Sequence, residues 1–168
     1  MIVALRRTAP PREIAVDVLI EAGRWQARAK LRSLAERAIA AASDRACPDL
    51  EPGAEVSLLF TDDAQMRHLN LRYRGKDKPT NVLSLPAARL LVGRLGPLLG
   101  DIVLASETVA GEAEAQGLAA NDHLTHLIVH GFLHLVGYDH EDESEALVME
   151  GLETAILGDL GIADPYAA

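Results

Sequence analysis

Four of the chain's six histidines lie between positions 126 and 140, at spacings typical of a metal site. His130 and His134 are four residues apart, so on a helix their imidazoles project from one face, one turn above the other. Gly137 can leave helical backbone angles, and His140 can then fold back toward the pair. Three imidazoles meeting at one point, with a fourth position open, are what a catalytic zinc ion requires.

The histidine row offers two possible ligand sets. His130-x3-His134-x5-His140, with glycine at position 137, has the spacing of the zinc motif of metzincin proteases. His126 extends the row one turn upstream and makes 126/130/134 a competing set. Each four-residue step drifts by about 40° around a helix, which leaves His126 and His134 roughly 80° apart and poorly placed to surround one ion. We therefore expect His126 to be structural or to support a ligand.

One position separates this chain from those proteases. They carry a glutamate directly after the first histidine as general base, whereas this chain has Gly131. Peptide hydrolysis by the same arrangement is therefore unsupported. A phosphate ester is an alternative substrate, because a metal and an arginine together can meet its developing negative charge.

A cluster of cations could supply that arginine. Five basic residues fall within twelve positions, with only Asp77 as an opposite charge: Arg67, Arg72, Arg74, Lys76 and Lys78. Arg72 and Arg74 lie where a predicted helix gives way to a loop, and a guanidinium there can present a planar fork to phosphate oxygens. A solvated helix end that favours its own dipole explains the cluster equally well.

Hydrophobic periodicity predicts nine elements in the order β-α-β-α-β-β-α-α-α. Strands are expected at about 14–20, 55–61, 81–85 and 102–105, and helices at about 28–45, 62–73, 106–116, from 121 or 122 through the histidine row, and 143–157. The caps expected for these helices are Thr61 or Asp62, Ser106, and Gly117. Residues 87–99 should form a loop or hairpin connection.

This order indicates an α/β fold of the α+β type, in which a small mixed four-stranded sheet packs with about five helices. No repeat or linker divides the chain, so residues 1–168 form a single domain in this interpretation. Residues 1–13 would be an N-terminal extension, and residues 161–168 a tail that frays.

The charges are segregated along the chain. All sixteen Lys and Arg lie in residues 1–100 beside eleven acids, a net +5, whereas residues 101–168 carry fourteen acids, a net −14. Such asymmetry indicates a basic surface for a polyanion or an acidic half suited to cations, although solvated charges also segregate by chance.

Other features of the sequence concern the compartment. No apolar run approaches the roughly 18 residues of a membrane span. Arg6 and Arg7 follow the short first apolar run, which is not the order of a signal peptide. The single Cys47 excludes an internal disulfide. We predict a cytoplasmic protein with no membrane partner.

Two long stretches resemble the YbeY family of bacterial single-domain, metal-dependent endoribonucleases. The first reads L-N-x-x-Y-R-G-K-D-K-P-T-N-V-L-S at 69–84, with G-D-I at 100–102, and the second reads H-x3-H-G-x-L-H-L-x-G-Y-D-H at 126–140. The resemblance covers roughly residues 14–160. Leu85, where the family usually has Phe, and His68, where Glu is common, depart from the pattern without touching the proposed site.

The resemblance implies a function and a set of site residues. His130, His134 and His140 would bind one zinc ion, and Arg74 would be the functional arginine facing the metal across a cleft. The activity implied is a single-strand-specific endoribonuclease that matures the 3′ end of small-subunit ribosomal RNA and acts in ribosome quality control. RNA, the small ribosomal subunit with its proteins, and an Era-type GTPase are the partners it suggests.

Several alternatives stay open at this stage. The proton acceptor would be Asp139, Glu141 or neither, and Asp139 could instead orient a ligand imidazole. Three histidines accept nickel or copper as well as zinc. A ribosome-assembly factor with a mainly structural metal, and a metalloprotease with a base from elsewhere, are the competing functions.

Overall fold

A mixed sheet of four strands lies at the centre of the molecule, which is described here from a computed structural model covering residues 13–46, 48–87 and 93–167. The strands are β1 (Ala15–Ile20), β2 (Glu55–Thr61), β3 (Val82–Pro86) and β4 (Leu98–Ala105). The helices are α1 (Arg28–Ala46), α2 (Asp63–Arg74), α3 (Ser106–Gln116), α4 (Ala120–Leu135) and α5 (Glu143–Asp159). Their order along the chain is the predicted one, which confirms the α/β fold class.

The strand order β1-β2-β4-β3 makes β3 an edge strand. β1, β2 and β4 run parallel, and β3 runs antiparallel to β4. One face of the sheet buries Val18, Leu58 and Phe60 in the main core, together with Ile128 and Phe132 of α4. Burying such side chains stabilises the fold by roughly 1.5–3 kcal/mol each.

Helix α4 approaches the sheet closely at Gly131. A Cβ atom at this position would lie 2.8 Å from Ile102 Cγ2 and 3.1 Å from Ser84 Oγ. The Ser84 hydroxyl donates a hydrogen bond of 2.8 Å to the Gly131 carbonyl. The absence of a side chain at Gly131 thus lets the last turns of α4 lie beside the edge strand β3.

The starts of β4 and α4 and the cap of α3 differ from the prediction. β4 begins at Leu98 rather than Ile102, because its first residues pair with β2 and β3 although glycines and a proline flank them. Ser106 is not a cap: it is the first residue of α3, and its hydroxyl donates to Glu107 while accepting the Arg24 N–H. α4 begins at Ala120, slightly before the predicted start. Asp62 does cap α2, accepting the Gln65 N–H at 2.9 Å.

The C-terminal segment, for which fraying is predicted, makes several contacts with α5. The Ile162 N–H donates to the Leu157 carbonyl at 2.9 Å, and the Thr154 hydroxyl donates to Asp164 at 3.0 Å. The Tyr166 hydroxyl donates to Glu153 of α5. The alanine-rich composition suggested fraying, but it did not reveal that one tyrosine anchors the segment. Residues 1–12 of the predicted extension, residues 88–92 of the predicted connection, and residue 168 lie outside the described residues.

No helix in the described ranges is long and apolar enough to cross a membrane.

Candidate metal centre

The C-terminal end of α4 brings three histidines together. His130 and His134 occupy its last two turns, and Gly137 takes a φ of 107°, a left-handed conformation that turns the chain after the helix. His140 lies in the loop that leads to α5. The three imidazoles offer nitrogen atoms that all lie within 4.8 Å of one another. Among the described residues they form the one such cluster, so the structure brings together the three ligands expected from the spacing.

The hydrogen bonds of two rings indicate where their protons lie. His134 Nδ1 is 3.0 Å from the Tyr138 carbonyl, which can only accept, so Nδ1 carries the hydrogen. His130 Nδ1 is 2.6 Å from a Glu153 carboxylate oxygen and donates to it. If both rings are neutral, each Nε2 therefore presents a lone pair, and these two atoms are only 3.1 Å apart. Facing lone pairs repel unless a cation lies between them, which is the environment of a metal site.

The electrostatics favour the ligand form of His134. Burial lowers the pKa of His134, and the nearby His130 and His140 lower it further. A metal binds the neutral imidazole, so a lowered pKa keeps this ring available at physiological pH.

Glu153 is the buried carboxylate behind the histidine row. Its relative exposure is 0%, and its two oxygens contact His130 Nδ1, His126 Nε2 at 2.8 Å and the Tyr166 hydroxyl. Burial acts to raise the pKa of Glu153, but the hydrogen bonds from these three partners lower it to about 2. His126 is thus bonded to Glu153 and lies outside the triad.

Glu153 is not among the site residues predicted from the sequence. A signal was present, because Glu153 falls on the buried stripe of α5 with Met149, Ile156 and Leu157. An acid on such a stripe needs partners that remove the cost of burying its charge. The orienting role considered for Asp139 is filled by Glu153 and the Tyr138 carbonyl, while Asp139 accepts the backbone N–H of His140 at 2.8 Å.

The triad opens onto a cleft of about 820 Å³. Strand β3, the end of α2, and the end of α4 with the loop that follows it all line this cleft. Arg74, the last residue of α2, lines this cleft and is the only arginine or lysine among the described residues that do so.

Three contacts fix the position of the Arg74 loop. Gly75 adopts a left-handed φ of 69° and donates to the Leu71 carbonyl, which ends α2. The buried Asn70 donates to the Lys78 carbonyl at 2.8 Å, and Arg67 pairs with Asp77 at 2.7 Å.

The other arginine at the end of α2, Arg72, is not among the residues that line the cleft. The Arg72 guanidinium lies over the Tyr73 ring, 5.4 Å from its centroid. The structure thus distinguishes Arg72, which packs on Tyr73, from Arg74, which lines the cleft. Composition alone could not show which of the two belongs to the site.

The Glu112 carboxylate binds a residue that lines the cleft. Asn81, which lines the cleft before β3, donates to Glu112 of α3 at 3.0 Å. Glu112 in turn lies 2.8 Å from Nε2 of His123, a residue of α4 that is only 5% exposed. These side chains link α3 and α4 to the residue that precedes the edge strand.

Comparison with known proteins identifies the family. A family model described as Endoribonuclease YbeY matches residues 20–161. The chain belongs to that family. The Endoribonuclease YbeY of Chelativorans sp. (strain BNC1) is 54% identical over 153 residues, which cover 90% of this chain and 93% of that protein. The Endoribonuclease YbeY of Rhizobium etli is 49% identical over 162 residues, 92% of this chain and 94% of that protein.

A solved structure supports the fold. A protein of Thermotoga maritima, determined in solution, superposes with a TM-score of 0.54 at 21% identity, covering 91% of this chain and 99% of that one. The resemblance to the YbeY family is thus confirmed, and so is the mixed α/β architecture.

The glycine in the YbeY histidine motif has a packing role in this chain. Position 131 is where the metzincin proteases carry their glutamate base. Here it faces Ile102, Ser84 and Val82 of the sheet, and a Cβ atom would already lie within 3.3 Å of each of these side chains. A glutamate in this place would meet the sheet, so the protease arrangement does not fit this helix.

Proposed function

We propose that this YbeY-family chain is a zinc-dependent, single-strand-specific endoribonuclease that matures the 3′ end of small-subunit ribosomal RNA and acts in ribosome quality control. Family membership supports the coarser statement, that of a hydrolase that cuts RNA phosphodiester bonds. The observation that carries a metal-dependent reaction on a phosphate is a cleft lined by three convergent imidazoles and a guanidinium. The ribosomal RNA role is proposed from the family resemblance.

His130, His134 and His140 would hold the metal. The Nδ1 hydrogen bonds of His130 and His134 orient the two rings, with each Nε2 lone pair directed into the site. When bound, zinc would supply Lewis-acid chemistry, by polarising a phosphoryl oxygen and activating water at its open position.

Arg74 would bind the scissile phosphate. Its guanidinium has no ion-pair partner within the described chain, so its planar fork is available for two phosphate oxygens. A cation placed where negative charge develops stabilises the transition state more than the ground state.

Asp139 is the carboxylate that we assign as proton acceptor. It is exposed and lines the cleft beside the triad, whereas Glu141 is not among the residues that line it. A carboxylate there can take the proton from an attacking water molecule.

Two features of the site favour this function over its competitors. A structural zinc site is closed by four protein ligands, whereas His140 is exposed and the triad opens onto the cleft. A protease base at position 131 is excluded by the packing of α4 on the sheet.

The proposed partners follow from the charges and from the family. The basic end of α2 would face RNA, and the acidic second half would contact basic proteins of the small subunit. An Era-type GTPase is a further proposed partner, and the cytoplasm is the proposed location.

The experiment compares His134→Ala with His68→Ala. His68 is exposed on α2 and does not line the cleft, so its replacement is the matched control. Metal content by mass spectrometry and cleavage of a single-stranded RNA are measured for both. We expect His134→Ala to lose zinc and cleavage, and His68→Ala to keep both.

Retained zinc or undiminished cleavage in His134→Ala would contradict the assignment. The processing role has its own test, which is to sequence the 3′ ends of small-subunit RNA in cells depleted of the protein. Unchanged ends would contradict that role without affecting the nuclease activity.

A further inference from the structure

The C-terminal segment reaches the metal centre through one side chain. Tyr166 lies after α5, yet its hydroxyl donates to the Oε2 atom of Glu153. His126 Nε2 contacts the same oxygen at 2.8 Å, and the His126 and Tyr166 rings pack edge to face with centroids 5.7 Å apart. The other oxygen of Glu153, Oε1, accepts from His130 at 2.6 Å.

A turn centred on Asp164 places the phenol. The Asp164 carboxylate accepts the Tyr166 N–H at 2.9 Å and the Thr154 hydroxyl at 3.0 Å. The helix end before the turn is closed by the hydrogen bond from Ile162 to Leu157. The position of Tyr166 is therefore set by backbone and side-chain contacts, although its ring is 45% exposed.

The Glu153 carboxylate connects Tyr166 to His130, so a change in its position would change the orientation of the His130 ring. Glu153 has no exposed surface on which water could satisfy its oxygens, so its orientation depends on the three donors around it. A fixed Glu153 holds the Nδ1 hydrogen of His130, and this fixes the plane of the ring whose Nε2 enters the metal site. Partners behind a ligand that act in this way typically contribute 10- to 100-fold in metal affinity.

We propose that Tyr166 is a positioning residue of the metal centre, acting through Glu153 on His130, so that the C-terminal segment sets the affinity and geometry of the metal site. This inference rests on the proposed function only in taking the triad as a metal site. It does not require that the substrate be RNA. The segment, which composition alone presents as a fraying tail, becomes part of the site.

The test removes one hydroxyl at a time. Tyr166→Phe deletes the donor to Glu153 and keeps the ring, whereas Thr154→Val deletes a different hydrogen bond of the same segment and leaves Asp164 to accept the Tyr166 N–H. Zinc dissociation constants are measured by competition with a chromophoric chelator. The visible spectrum of the cobalt-loaded protein reports ligand geometry, and the melting temperature of the metal-free protein reports stability.

We expect Tyr166→Phe to bind zinc more weakly, by up to about 10-fold, with a shifted cobalt spectrum. Tyr166 acts one contact further out than the direct partners of a ligand, for which about 10-fold is the lower end of the usual effect. Thr154→Val should keep the wild-type affinity and spectrum. Glu153→Gln provides a second variant, and it should weaken zinc binding at least as much as Tyr166→Phe.

Two results would overturn the proposal. One is a wild-type affinity and spectrum in Tyr166→Phe. The other is an equal loss of zinc affinity in Tyr166→Phe and Thr154→Val, accompanied by a lower melting temperature. That result would show that the contact only stabilises the fold. If zinc binding changes as expected but the wild-type protein cuts no RNA, the positioning role stands and the proposed endoribonuclease activity fails.

Discussion

The histidines of α4 differ in which ring nitrogen contacts a neighbouring residue and which points into the cluster. His126, His130 and His134 follow one another at four-residue intervals on α4, yet only the last two direct a nitrogen into the triad. Their spacing, which the sequence displays, was enough to predict that His130, His134 and His140 cluster and that His126 stands apart. Glu153 contacts Nε2 of His126 but Nδ1 of His130, and so of the two only His130 keeps its Nε2 directed at the triad. Glu153 comes from another helix and could not be paired with these rings by local spacing.

Arg74 shows the same limit. Composition presents several cations at the end of α2 without ranking them. The contacts of Arg67 with Asp77 and of Arg72 with Tyr73 depend on tertiary structure or on rotamers. Of the cations in the described ranges, Arg74 is the one that lines the cleft. Only the family resemblance selected Arg74 before the structure.

The affinity for zinc should fall as the pH is lowered, because protons compete with the metal for the imidazoles. Between pH 7.5 and 5.5 we expect a clear loss of zinc affinity, since each imidazole must give up its proton before it binds the metal. The lowered pKa of His134 makes its own share of this loss smaller, because it stays neutral to a lower pH. Chelator competition across this range measures the effect. An affinity that stays constant to pH 5.5 would contradict imidazole ligands.

The elements position the site through the close approach of α4 to the edge of the sheet. Periodicity predicted which elements form and in what order, because most of their buried faces repeat at helix or strand spacing. It misplaced the start of β4, where Gly96, Pro97 and Gly100 obscure the strand signal, and it took Ser106 for a cap although its hydroxyl bonds elsewhere. It gave no indication of why residue 131 is glycine, since that depends on Ile102 across the interface.

Replacing Gly131 by alanine should destabilise the protein by about 1–3 kcal/mol, the usual effect of overpacking a well-packed interface. The new Cβ would lie 2.8 Å from Ile102 Cγ2, so α4 or the sheet must shift. Gly111→Ala is the control, because this glycine is also helical and nothing lies within 4 Å of an added Cβ. Alanine there should be neutral or stabilise by up to about 1 kcal/mol. Urea unfolding measures both, and equal stabilities for the two variants would contradict the packing role.

At the scale of the whole molecule, the segregated charges meet at one cleft. The cleft is lined by Arg74 from the basic half of the chain and by the triad and Asp139 from the acidic half. Neither half contains a complete site. The family model and the relatives place this chain among the YbeY endoribonucleases. The cleft is where the two halves would act on one phosphodiester.

The central claim is that the triad and Arg74 act together on a phosphodiester, and single-turnover cleavage of a single-stranded RNA by Arg74→Ala and Arg72→Ala tests it most directly. Both variants should keep one zinc ion per chain, since neither residue belongs to the triad. We expect Arg74→Ala to cut at least about 100-fold more slowly, as for loss of a group that stabilises transition-state charge, and Arg72→Ala to cut at close to the wild-type rate. Wild-type cleavage by zinc-loaded Arg74→Ala, or an equal loss in both variants, would contradict the account.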